Sequence, residues 1–225
     1  GGNHRRIWSI RSWQNWPGGL EGLGSFVGSK ILFLGIDGMD RAVVQRLVDT
    51  LPNLAHLMQQ GATVDLISTF PPDSDTAWAS AYTGLNPARH GVVQFVDPLE
   101  KVRGIQTKLA DNSALRGSSF WDLAGDAGRR VCVLFPHMGY PLWPVNGVMT
   151  ARSPISDDVQ AFPSDLAATY PGVLATKTPR GFPGRRTHRI AQFVDQLRQT
   201  ILQDAEIGLQ LLREREWDLV FIYWS

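Results

Sequence analysis

Three runs of this chain are apolar with no polar interruption: Ile31-Leu32-Phe33-Leu34-Gly35-Ile36, Val131-Cys132-Val133-Leu134-Phe135 and Leu219-Val220-Phe221-Ile222-Tyr223-Trp224. A strand with one face in water alternates apolar and polar residues. A continuous run is the pattern of a strand covered on both faces, as in parallel sheets. Between the runs the spacing changes to a helical period. Arg41 to Thr50 carries Val43, Val44, Leu47 and Val48. Pro52 opens a second helix through Leu54 and Leu57, ended by Gly61. Ala77 to Thr83 and Phe120 to Ala127 follow, then one long helix from Ile190 to Arg215. Alternating strands and helices predict an α/β fold with a mainly parallel sheet and helices on both faces. Thr63 to Ser68 reads as a further strand.

The 225 residues suffice for one large domain, or one domain with an appendage. Residues 1–29 stand apart as a Trp- and Gly-rich leader or linker. They hold Trp8, Trp13 and Trp16 with Arg5, Arg6 and Arg11, a mixture found both at membrane interfaces and in loose termini. Membrane association is left open. Residues 137–189 are dense in Pro and Gly and read as a loop-rich insertion that carries specificity. The chain begins with Gly1 and stops at Ser225, directly after an apolar run. A domain rarely ends on a core strand, so the expectation is a fragment.

Composition excludes several classes. With 22 Lys and Arg against 21 Asp and Glu, a formal charge of +1, no nucleic acid partner is indicated. A single cysteine, Cys132, rules out an internal disulfide framework and a Cys-based zinc module. No apolar run approaches the ~18 residues of a bilayer span.

The chemistry-bearing residues follow strands. Asp37, at the end of the first run, suits a cation ligand with Gly38 turning the backbone, or a helix cap; Asp40 is the better cap candidate. Ser74 stands in a loop before a helix, where free N–H groups suit an incoming phosphate. Its hydroxyl is a candidate nucleophile or, alternatively, a cap. Asp73 and Asp75 read as an exposed acidic loop. His90 reads as a turn residue, and neither His137 nor His188 has metal-ligand spacing. Arg185, Arg186 and Arg189 read as a solvated basic cluster.

The order of these pieces adds a resemblance. Lys30-Ile31-Leu32-Phe33-Leu34-Gly35-Ile36-Asp37-Gly38-Met39-Asp40 precedes Leu51-Pro52-Asn53-Leu54-Ala55-His56-Leu57. Then comes Pro71-Pro72-Asp73-Ser74-Asp75-Thr76-Ala77-Trp78, running on through Thr83-Gly84-Leu85-Asn86-Pro87-Ala88-Arg89-His90-Gly91. Ser119-Phe120-Trp121-Asp122-Leu123 and Tyr140-Pro141-Leu142-Trp143-Pro144-Val145-Asn146-Gly147-Val148-Met149 complete the pattern. Together they resemble the alkaline phosphatase superfamily, in the type I phosphodiesterase/nucleotide pyrophosphatase group and its phosphohydrolase/phosphomutase branch.

The resemblance implies that residues 30–225 form the N-terminal part of an alkaline phosphatase-like catalytic domain. It implies a metal-dependent hydrolase of phosphate monoesters or diesters acting through a covalent phosphoseryl intermediate on a small phosphate-ester substrate. The cofactors implied are two divalent metal ions, zinc being the expected metal. The first metal-binding Asp falls on Asp37. The nucleophile, nine residues before the Thr of the Thr83-Gly84 pair, falls on Ser74, which is also a metal ligand; Thr76 is the alternative. The remaining ligands are expected beyond Ser225, so the chain alone is expected to be inactive. Phe95, with Gln94 beside it, departs from the Asn of many diesterases. A phosphomutase, another ester hydrolase of the superfamily and a non-catalytic remnant are the alternatives. The sulfatase signature, Cys or Ser followed by Pro-x-Arg, is absent near Ser74.

Overall fold

A computed structural model describes residues 30–93, 115–154, 156–175 and 187–224. The leader 1–29, Gln94 and Phe95, Arg185 and Arg186, and residues 97–114 of the polar stretch lie outside the described residues.

The three apolar runs form strands: β1 (Ile31–Ile36), β2 (Val131–Leu134) and, last in the chain, β5 (Leu219–Trp224). Two more, β3 (Gly147–Arg152) and β4 (Val159–Phe162), complete a five-stranded sheet in the order β1-β5-β2-β3-β4. The first four neighbours are parallel, and β4 runs antiparallel on β3. The expected α/β class with a mainly parallel sheet is what the chain adopts. Helices α1 (Arg41–Leu47), α2 (Pro52–Gln60), α3 (Ser74–Thr83) and α4 (Pro87–His90) follow β1. Helix α5 (Phe120–Asp126) precedes β2, the short α6 (Leu166–Thr169) and α7 (Gly172–Ala175) follow β4, and α8 (Thr187–Glu214) leads into β5.

Helices α1 and α5 start on side-chain caps. Asp40 accepts from the Val43 amide at 2.8 Å, as expected of it. Ser119 and Asp122 close a reciprocal capping box on α5.

Because successive strand residues point to opposite faces, each strand feeds two cores. On one face Cys132, Leu134, Val148, Val220 and Ile222 meet Ile207 and Leu211 of α8. Burial pushes the Cys132 thiol up to about 12, so it is a core hydrophobe and not a nucleophile. On the other face Val131, Val133, Met149, Phe221 and Tyr223 meet Tyr82 of α3 and Trp121 of α5. This second core is strongly aromatic. The Phe221 ring touches those of Phe33, Tyr82, Phe120 and Trp121. Helix α8 is tied to β3 by Arg152, which donates to both oxygens of buried Asp204 and stacks on Phe135 at 3.6 Å.

Three expectations are corrected. Thr63 to Ser68 forms no strand, and Leu66 and Ile67 are 90% and 101% exposed; strand-like composition forms no ladder without a partner. Residues 137–189, read as a loop-rich insertion, supply β3 and β4. Among the described residues, strand β1 is not covered on both faces. It lies at the sheet edge among the described residues, with Ile31 and Ile36 43% and 45% exposed. No described helix is long and apolar enough to cross a membrane.

Candidate active site

In an open α/β sheet, ligands bind beyond the carboxyl ends of the parallel strands. Three adjacent strands deliver polar groups to that edge. Asp37 follows β1, and its amide donates to the Trp224 carbonyl at 2.9 Å. Tyr223 lies opposite Gly35 in the β1–β5 register. His137 follows β2 on a short loop. The fourth contributor is α3, whose first residue is Ser74. Its Trp78 fits against β1 only because residue 35 is glycine, since a Cβ there would lie 2.8 Å from the indole.

Asp37 is the hub. Gly38, at φ +65, folds back so that its amide donates to Asp37 Oδ1 at 2.9 Å. The Tyr223 hydroxyl donates to Oδ2 at 2.8 Å. Ser74 Oγ stands 3.5 Å from Oδ1. That is longer than a good O–H···O bond of ~2.7 Å. It agrees with the spacing of two oxygen ligands on one tetrahedral cation, about 3.3–3.6 Å for bonds of 2.0–2.2 Å. The pair therefore fits a shared zinc-like ion as two of its ligands. Among the described residues no group of three or more His, Cys, Asp or Glu gathers to complete such a site.

Ser74 is exposed and is not the cap of α3. Asp73 takes that place, accepting from the amides of Asp75 and Thr76 at 3.0 and 3.4 Å. This frees the Ser74 hydroxyl and corrects the expectation of open N–H groups for a phosphate, because a carboxylate already holds two of them. Thr76 is fully buried, its Oγ1 without a hydrogen-bond partner among the described residues.

Asp75 is the largest departure from expectation. Read as part of an exposed acidic loop, it is 1% exposed and meets His137 Nε2 at 2.5 Å. A carboxylate is buried only where a hydrogen-bonded partner compensates its lost hydration. His137 Nδ1 in turn lies 3.3 Å from the Tyr223 hydroxyl. With that hydroxyl donating to Asp37, its remaining lone pair faces the ring nitrogen. Phe135 and Met138, on either side of His137, have φ of 52 and 58, a strained conformation for such side chains. Helix α3, on the same face, sends Tyr82 under the site, where burial raises its phenol well above the usual range and keeps it neutral.

His90, expected in a turn, is instead the buried last residue of α4. It accepts from the Val92 amide at Nδ1 (3.1 Å), which leaves the Nε2 proton for Ser80 Oγ at 2.8 Å. Burial lowers its pKa in accord with that neutral form. The geometry thus brings Asp37 and Ser74 together and adds Tyr223 and His137, which sequence reasoning missed. Tyr223 sits inside an apolar run and His137 lacks a spaced partner. The available signal was position, since both stand at the carboxyl ends of predicted strands.

Comparison with known proteins gives a consistent picture. Residues 31–225 match the family described as type I phosphodiesterase / nucleotide pyrophosphatase. A crystal structure of phosphonoacetate hydrolase from Sinorhizobium meliloti 1021, in complex with phosphonoacetate, superposes with a TM-score of 0.50 at 20% identity. The match covers 86% of this chain and 45% of that one, so the chain spans less than half of its structural relative. At this identity the likeness carries the fold, which is alkaline phosphatase-like. No curated protein matches the sequence.

Proposed function

Since this chain belongs to the type I phosphodiesterase / nucleotide pyrophosphatase family, we propose that it carries the nucleophile and one cation ligand of a metal-dependent phosphoric ester hydrolase. The observation that supports this most is the pairing of an exposed serine hydroxyl with a strand-end carboxylate at 3.5 Å. Ser74 and Asp37 would hold a divalent cation between them, with zinc the metal their spacing suits. When bound, such an ion supplies positive charge that lowers the hydroxyl's pKa and neutralises phosphoryl oxygens.

The chain's own residues do the rest. Asp37 orients its Oδ1 toward Ser74 through the Gly38 and Tyr223 hydrogen bonds. Ser74 Oγ loses its proton to solvent and forms the bond to phosphorus as the ester oxygen departs with its bonding pair and is protonated by solvent. Water then attacks phosphorus, the Ser74 oxygen leaves with its bonding pair and takes up a proton from that water, and phosphate is released from a monoester or a phosphomonoester from a diester. Monoesters and diesters are both within this chemistry.

The test is metal removal from the whole protein. Hydrolysis of p-nitrophenyl phosphate and its bis-ester is expected to fall by about 10²-fold or more after chelation and to return with added zinc. Undiminished turnover by metal-free protein would contradict the reading.

A further inference from the structure

Four elements that are distant in sequence place one continuous chain of polar contacts behind Asp37. It starts at Asp75 Oδ1, passes through both nitrogens of His137 and the hydroxyl of Tyr223, and ends at Asp37 Oδ2. Each member is braced. Asp75 is buried at the start of α3. The His137 loop adopts left-handed backbone on both sides of the imidazole, a conformation retained only where surrounding structure holds it. The Tyr223 ring meets Trp78 edge-on at 5.1 Å and lies 5.5 Å from the His137 ring. The chain ends on the oxygen of Asp37 that does not face Ser74.

We propose that Tyr223 and His137 are positioning residues: footed on buried Asp75, they form a strut that fixes the Asp37 carboxylate for a divalent cation. This rests on the proposed role of Asp37 as a ligand. A free carboxylate rotates and spreads its lone pairs over many directions. One oxygen held by the Tyr223 hydroxyl leaves the other aimed at the cation. His137 acts one step further back, by setting the direction of the Tyr223 hydroxyl, and Asp75 sets the plane of the imidazole. Groups that orient a metal ligand from behind typically account for about 10–100-fold in metal affinity.

The experiment is calorimetric titration of the whole protein, freed of metal, with zinc ion alone, in the wild type, Asp37→Ala, Tyr223→Phe, His137→Ala and the Tyr223→Phe/His137→Ala double variant. Tyr223→Phe keeps the ring on Trp78 and removes only the hydroxyl. It is expected to weaken zinc binding about 10–100-fold with an unchanged melting temperature. The double variant is expected to bind no more weakly than Tyr223→Phe, because His137 acts through the hydroxyl already lost. A strictly structural role would instead lower the melting temperature and give additive losses, which would overturn the proposal. Wild-type affinity in Tyr223→Phe, with binding lost in Asp37→Ala, would overturn the strut and leave Asp37 a ligand. Binding unaffected by Asp37→Ala, or no binding by the wild type, would remove the ligand role and the strut together.

Discussion

Replacing Ser74 by alanine is expected to reduce ester hydrolysis by the whole protein about 10⁴-fold or more while leaving the fold intact. The two halves of this expectation have different origins. The Ser74 side chain is exposed, and among the described residues its side-chain hydrogen-bond neighbour is Asp37, at 3.5 Å. The helix cap is supplied by Asp73, so stability is expected to change by no more than about 0.5 kcal/mol. Activity responds differently, because in the proposed mechanism the hydroxyl oxygen takes the phosphoryl group, and no geometry around alanine replaces it. Steady-state kinetics and a denaturant melt on the same preparation separate the two. Retained kcat would sink the nucleophile assignment. A large loss of stability would show that Ser74 has a structural task which the capping geometry assigns to Asp73.

The second large effect concerns the sheet that aligns the strand ends. Gly147 opens β3 with φ +153, opposite Val131 of β2. A Cβ at this position would lie 2.0 Å from the Val131 carbonyl oxygen and 3.0 Å from the Trp217 ring. The first contact is with backbone, so no rotamer change relieves it. Relief requires β3 to part from β2 at the first of their four register pairs. Gly147→Ala is therefore expected to destabilise the chain by about 3 kcal/mol, read as a lower denaturation midpoint at unchanged slope. A loss below about 1 kcal/mol would show that the β2–β3 edge yields more readily than a paired ladder should. Since His137 follows β2, the variant is also expected to loosen the strut behind Asp37.

Much of this architecture was legible in the residues, for identifiable reasons. Strands β1, β2 and β5 are continuous apolar runs, which marked them as strands although β1 lies at the sheet edge among the described residues, and Asp40 caps α1 as its position predicts. Asp37 and Ser74 stood out because each follows such a run within a recognisable order of motifs. Strands β3 and β4 were hidden. Gly147–Arg152 is flanked by Pro- and Gly-rich sequence, and Val159–Phe162 has four half-buried residues with a polar one inside. Thr63 to Ser68 misled in the opposite direction, because alternation supplies propensity but not a neighbour.

The Asp75–His137–Tyr223 chain could not be read from spacing. Asp75 and His137 are 62 residues apart, and Tyr223 and Asp37 are 186 apart. They meet only because the sheet order sets β5 between β1 and β2. Polar residues near a nucleophile are usually solvated, so Asp75 gave no sign of burial in a one-dimensional pattern. Its partner opens a Pro- and Gly-rich stretch whose composition marks a loop but does not single out the residue that acts.

The central claim is that Ser74 takes the phosphoryl group. The most direct measurement is an acid quench of the whole protein during turnover of p-nitrophenyl phosphate with zinc present, followed by tandem mass spectrometry of the peptide spanning Ser74. The expected result is phosphoserine at Ser74, absent from the Ser74→Ala variant. Phosphate found on Thr76 or elsewhere, or sustained turnover with no phosphorylated residue at any quench time, would contradict it.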